Sequence, residues 1–221
     1  EEADERVETS LEEPLRAMIQ GLPGVGKSEL IKWVRAFFEE VLGWTHGVEF
    51  VCLASQNTMA ALIGGRTFHS WASLSINKEA AQSKKAKVWA KPDANPMYER
   101  CRMLRWILFD EGSTASAEVM AATNSALSTC IRAKNTYLMR GDGSKRPMGG
   151  MNLLFFVDWW QLPPVNATAL SSNPLRTSGS ATDRILEWFW THGPDSLNLF
   201  FEITQEVRCR DPWLSAFLKE C

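Results

Sequence analysis

The 221-residue chain lacks any C-x-x-C pair: its five cysteines, Cys52, Cys101, Cys130, Cys209 and Cys221, are scattered. Neither a zinc site nor a disulfide framework is indicated, and free or buried thiols are the simpler reading. No apolar run reaches the ~20 residues that a membrane-spanning helix needs. The first residues are acidic where a signal peptide would be apolar. These absences read as a soluble, intracellular protein, and the start on Glu1 rather than Met reads as a fragment or a processed chain. No internal repeat is visible. Net charge is also scarce, at −2, but its distribution is uneven: residues 1–14 carry seven acids against Arg6, a balance of −6, which leaves +4 for the rest. The opening segment 1–14 reads as a disordered acidic tail. Positive charge gathers at Lys78, Lys84, Lys85, Lys87, Lys91, Arg100, Arg102 and Arg105, and again at Arg132, Lys134, Arg140, Lys145 and Arg146. Patches of this kind suit a polyanion, although solvated loops without a partner account for them equally well on charge alone.

What is present is a chemical signature. Residues 21–28 read GLPGVGKS, the pattern G-x-x-x-x-G-K-[ST]. Gly21, Gly24 and Gly26 let the backbone curl so that successive N–H groups converge on phosphate oxygens, and the helix that follows adds the positive end of its dipole. Gly21, Pro23, Gly24, Val25, Gly26, Lys27 and Ser28 are therefore the candidate nucleotide-binding residues. Lys27 is expected between the β and γ phosphates of ATP, and Ser28 on Mg²⁺. An ordinary glycine turn would match this pattern only rarely, and the setting fits: LRAMIQ (15–20) is apolar, and 28–42 has helical periodicity.

Beyond the loop, apolar runs at 15–20, 48–54, 103–109, 151–157 and 197–203 alternate with helical patterns at 28–42, 57–63, 116–131 and 183–191. That alternation predicts an α/β fold with a parallel sheet and helices on both faces, and with the phosphate loop a P-loop NTPase, filling one domain over 15–221. The polar stretches 75–100, 139–150 and 166–182 read as surface excursions or loops.

Two strand ends carry further chemistry. ILFDEGS (107–113) ends in two carboxylates, of which Asp110 would hold Mg²⁺ together with Ser28 and Glu111 would orient and polarise the attacking water. An acid pair alone is weak evidence, since acids also cap helices. After a buried strand downstream of a phosphate loop it points to catalysis. FFVDWWQLPPV (155–165) ends in Asp158, followed by Gln161, a neutral amide able to sense the γ phosphate.

GLPGVGKS, GGRTFHS (64–70), DEGS and QLPPV, in the family's order, resemble the amino-terminal, RecA-like motor domain of the petite-integration-frequency (Pif) helicases, in the RecD-like branch of superfamily 1B. The resemblance covers the chain from about residue 15 onward. It implies an ATP- and Mg²⁺-dependent DNA helicase moving 5′ to 3′ along single-stranded DNA or at DNA junctions, in repair, recombination or telomere maintenance, in nucleus or mitochondrion. It implies that Arg208 also reaches the phosphate, and that Thr67, His69, Ser70 and Trp71 contact the DNA strand. On physics alone His69 is more often a satisfied loop histidine. The resemblance also implies a second RecA-like domain in a longer product, without which unwinding is not expected. The departures from the pattern are Val157 before Asp158, the bulky Trp159-Trp160, Cys209 after Arg208, Ser55-Gln56-Asn57 after the second strand, and no Gln within 1–14. Another P-loop ATPase, or a degenerate nucleotide- or DNA-binding module, is the alternative. Most of the ten tryptophans are expected to be core, Trp33, Trp106, Trp188 and Trp190 among them because they sit in apolar patterns, and Trp71, Trp159 and Trp160 are the only candidates for a ligand surface.

Overall fold

A computed structural model describes residues 13–72, 96–130, 138–174 and 180–205. Six parallel strands form one sheet in the order β3-β2-β4-β5-β1-β6. They are β1 (Arg16–Gly21), β2 (Phe50–Ala54), β3 (Arg66–Thr67), β4 (Trp106–Asp110), β5 (Asn152–Val157) and β6 (Leu199–Ile203). The interior strands are apolar at nearly every position because helices cover both faces, so neither set of alternating side chains meets water. The expected parallel α/β fold is present. The two-residue strand β3, inside GGRTFHS, is additional.

One face packs against α1 (Lys27–Ala36) and α2 (Asn57–Leu62), where Ile31, Phe38, Phe50, Ala60, Ile63, Leu108 and Phe156 form the core. α1 continues into a π-helical turn, Phe37–Val41, that turns Phe38 onto Trp44, Phe50 and Trp106 at ring separations of 5.1, 5.1 and 5.5 Å. The opposite, larger core packs the sheet against α3 (Phe68–Trp71), α4 (Pro96–Cys101), α5 (Ala117–Cys130) and α6 (Ala181–Trp190). At its centre Phe109 stacks on Phe155 at 4.4 Å and 7°. Burying a ring of this size contributes about 1.5–3 kcal/mol. α6 starts at a capping box: the Ser180 hydroxyl accepts from Asp183 N–H, and the Asp183 carboxylate accepts from Ser180 N–H.

Several expectations change. Within the segment read as an acidic tail, residues 1–12 lie outside the described residues, whereas Glu13 is held in ion pairs and Pro14 is buried. The stretch 139–150 is a surface excursion only at its tip. Arg146 and Pro147–Gly150 are buried, because the Arg146 guanidinium turns inward to the Met139 carbonyl (2.7 Å) and Glu13 (3.2 Å). Arg140 and Arg146 are thus engaged internally rather than offered to a polyanion. Lys78, Lys84, Lys85, Lys87, Lys91, Arg132 and Lys134 lie outside the described residues. Trp33 (68% exposed) is not a core residue, and Trp190 (45%) sits at the core's margin, its indole N–H donating to the Leu170 carbonyl.

Candidate functional site

The carboxyl ends of the strands gather the chemistry, as expected for an open parallel sheet. The loop joining β1 to α1 keeps Gly24 and Gly26 at φ 89° and 97°, a region other residues enter only with strain, so both glycines are needed for the curl. Gly21 is required by space: a Cβ there would lie 2.6 Å from Val25 Cγ2 and 3.3 Å from the Ile203 carbonyl of β6. Lys27 is buried. Its ammonium donates to the carbonyls of Gly21 and Leu22 and stands 3.6 Å from Asp158 Oδ2, an ion-pair separation longer than a hydrogen bond.

Ser28, at the start of α1, stands close enough to the Asp110 carboxylate at the end of β4 for its hydroxyl to favour the ionised form. Asp110 is almost fully buried, and its pKa is pushed up to about 6. Burial is the main cause and the neighbouring Glu111 charge adds to it, against the Glu111 N–H, Lys27 and Ser28, which favour the carboxylate. Glu111 follows with φ 52° and ψ 41°, a left-handed backbone rarely held by a non-glycine residue. Among the described residues, Gln20 Oε1, Glu111 Oε2 and Asp158 Oδ2 are buried without a hydrogen-bond partner. Buried oxygens in this condition are costly, and they cluster where a cation, a water or a ligand would complete them. Ser28 and Asp110 thus supply the hard oxygen donors that suit Mg²⁺.

The remaining sequence-derived positions divide. Gln161 is half-buried on the turn after β5, its N–H donating to the Asp158 carbonyl at 3.2 Å. Arg208 lies outside the described residues. Thr67 caps α3, its hydroxyl accepting from Ser70 N–H at 3.3 Å, while His69 is half-buried and Ser70 exposed. Trp71 is not an exposed stacking platform: only 2% of its surface is accessible, because the indole faces inward into the larger core with Phe68. Trp159 is half-buried against Phe189 and Trp190, and Trp160 is 77% exposed.

Asp158 was legible only as a strand end. Its position against Lys27 follows from β5 lying beside β1 in register, Gln20 opposite Val157. Ser113 Oγ accepts from Asp158 N–H at 3.2 Å and ties the turn after β4 to the end of β5. Nothing in the local pattern singled out Ser113, although DEGS contained it.

A family model described as PIF1-like helicase matches residues 5–183. The ATP-dependent DNA helicase Pif1 of Bdellovibrio bacteriovorus is 34% identical over 150 residues, covering 68% of this chain and 29% of that protein. The ATP-dependent DNA helicase PIF1 of Saccharomyces cerevisiae is 29% identical over 157 residues, covering 66% of this chain and 15% of its own length. The chain therefore spans less than a third of these relatives. Among solved structures, the Pif1 helicase from Candida albicans superposes with TM-score 0.65 at 21% identity, over 93% of this chain and 40% of that one. The Bacteroides Pif1 helicase, in complex with ADP-AlF3 and single-stranded DNA, gives 0.59 at 17% identity, over 95% and 42%.

Proposed function

Because the chain belongs to the PIF1-like helicase family, we propose that it forms the nucleotide-hydrolysing wall of a DNA helicase motor, acting with ATP and Mg²⁺. The observation that carries this reading is the convergence of Lys27, Ser28, Asp110, Glu111 and Asp158 on one sheet edge, with buried oxygens there still unpartnered. The backbone N–H groups of residues 24–28 enclose the phosphates, with Pro23, which has no N–H to donate, shaping the turn before them. Lys27 then exchanges its loop carbonyls for β- and γ-phosphate oxygens, while Asp158 keeps the ammonium oriented. Ser28 and Asp110 would hold Mg²⁺, which when bound would supply positive charge to offset that of the phosphate oxygens. Glu111 orients and polarises that water. Gln161 reads the γ phosphate, and Arg208 reaches the same group.

In this reading Thr67, His69 and Ser70 lie along the path of single-stranded DNA, and a second RecA-like domain in a longer product closes the cleft so that the strand moves 5′ to 3′. The processes served are repair, recombination or telomere maintenance, in nucleus or mitochondrion. No helix among the described residues is long and apolar enough to cross a membrane.

Lys27→Ala tests the reading at its base. It removes the cation from the loop, and the affinity for a fluorescent ATP analogue should fall at least tenfold, about 1.4 kcal/mol. Equal affinity in variant and parent would show that the loop does not hold phosphate. Binding without hydrolysis or unwinding by the longer product would favour a nucleotide-binding module.

A further inference from the structure

The backbone of Glu111 is clamped from both sides. Its N–H donates to Asp110 Oδ1 at 3.0 Å, and its carbonyl accepts twice from Thr114, from the N–H at 3.1 Å and from the hydroxyl at 2.8 Å. A left-handed glutamate persists only where its surroundings over-determine it, and Thr114 supplies two of the three bonds that do so. The same hydroxyl lies 2.5 Å from the hydroxyl of Ser55. One arrangement uses each hydroxyl proton once: Ser55 O–H donates to Thr114 Oγ1, and Thr114 O–H donates to the Glu111 carbonyl.

Ser55 is the first residue after β2 and leads through Gln56 into α2. Ala54, just before it, is in register with Thr67 of β3, in the GGRTFHS segment whose resemblance implies contact with the strand, although Ser55-Gln56-Asn57 themselves depart from the family's pattern. Ala54 is also in register with Asp110 across the β2–β4 pair, so the two loops leave the sheet side by side. Any shift of the β2–α2 loop alters the one side-chain bond that Thr114 makes to it, and with it the hold on the Glu111 backbone that aims the carboxylate.

We propose that Ser55 and Thr114 form a two-hydroxyl relay coupling the β2–α2 loop to the orientation of Glu111, so that occupation of the strand-binding face is felt at the nucleotide. Thr114 is a positioning residue, acting through Glu111. The proposal rests on the reading of Glu111 as the water-orienting carboxylate of an ATP site. A relay of this kind is reciprocal: if the strand changes nucleotide affinity, the nucleotide changes strand affinity by the same factor.

The test is linkage. The Kd of the protein for a fluorescent ATP analogue with Mg²⁺ is measured with and without saturating oligo-dT, in the parent, Thr114→Val, Thr114→Ser and Ser55→Ala. In the parent the oligonucleotide should shift that Kd by roughly fivefold or more, the lower end of ordinary coupling. Thr114→Val keeps the shape and loses the hydroxyl, and the shift should fall below a third of the parent's. Ser55→Ala should do the same, whereas Thr114→Ser, which keeps the hydroxyl, should restore it. A purely structural role would not produce rescue of the ratio by serine. A full shift in Thr114→Val, a parent that binds nucleotide but shows no shift, or no rescue by Thr114→Ser overturns the relay. Failure of the underlying ATP-site reading looks different: parent and Lys27→Ala would then bind nucleotide equally.

Discussion

The two ends of the sheet handle buried charge in opposite ways. At the amino end, Glu13 joins Arg16 (3.3 Å), Arg140 (2.9 Å) and Arg146 (3.2 Å), and Arg140 also holds Asp195 at 2.7 Å. The guanidiniums use backbone carbonyls as well: Arg16 donates to Ser196 and Pro194, Arg140 to Pro194, and Arg146 to Met139. Burial alone works against the Glu13 charge, yet the hydrogen bonds from Arg140 and Arg146 hold its pKa below the usual value. At the carboxyl end the charges are fewer and incompletely matched. Asp110 is raised to about 6, Asp158 Oδ2 faces Lys27 beyond hydrogen-bond distance, and Glu111 is held in a left-handed backbone. One end fastens the fold. The other keeps capacity for a ligand at some cost in stability, and that contrast separates a structural ion cluster from a functional one more sharply than charge content does.

Glu111→Gln is the strongest way to sharpen the contrast. The amide keeps the shape and leaves Asp110 in place but cannot polarise water, so hydrolysis should fall by about 10²- to 10⁴-fold while nucleotide still binds. Phosphate release, measured beside analogue binding, reads both quantities. Turnover equal to the parent's would reassign Glu111 to structure.

Arg146→Ala addresses the fastening end. Removing a buried guanidinium strands the Met139 carbonyl and weakens the hold on Glu13, so the unfolding free energy from urea titration should fall by about 3 kcal/mol. A loss well under 1 kcal/mol would mean that the amino end is not the fastening it resembles, and the comparison would break there.

Asp110→Asn should act with the opposite sign. In the folded protein Asp110 titrates near 6, above its ordinary value of 3.8, so the native state binds more protons than the unfolded chain between those values. The group's contribution therefore becomes less favourable as pH rises through that window, by about 1–3 kcal/mol once it is fully ionised. Asparagine removes that penalty: the variant should be the more stable protein at pH 7.5 and equal to the parent near pH 4, in urea titrations at both values. Its Mg²⁺-dependent nucleotide binding should nonetheless be weaker. A variant less stable at pH 7.5 would show that Asp110 is a satisfied structural acid.

Glu13→Gln is expected to give the smallest effect. Because the Glu13 pKa is held low, its contribution is present above the usual carboxylate range and is lost as pH falls through its depressed value. The variant should be modestly destabilised at pH 7.5, with the difference closing in acid. Slopes of opposite sign for Asp110 and Glu13, from the same urea series, are the finest check on the comparison.

The expected strands lie within a few residues of those observed, since each interior strand is an apolar run with cover on both faces. β3 escaped notice because two residues, Arg66 and Thr67, are too short to carry a period. The tryptophans were harder to place. Trp71 sits in a polar stretch yet is core, and Trp33 sits in an apolar one yet is exposed, because local pattern does not say which helix face has a neighbour. Among the site residues, the phosphate loop and the Asp110-Glu111 pair were legible from contiguous motifs. The roles of Ser55, Ser113 and Thr114 were not, since a hydroxyl in a loop has no pattern until its partner is known.

The sequence by itself determined the phosphate loop, because its chemistry depends on consecutive backbone N–H groups and on glycines that permit φ of 89° and 97°. It also determined the parallel α/β layering, because doubly covered strands must be apolar throughout. Only the tertiary structure decided which charges belong together. Lys27 meets Asp158 because β5 lies beside β1, Ser28 comes near Asp110 across the carboxyl edge, and Glu13 gathers the distant Arg140 and Arg146 at the opposite end. Charge-pair energies depend on distance and burial, and for residues this far apart along the chain both are fixed only when the sheet closes.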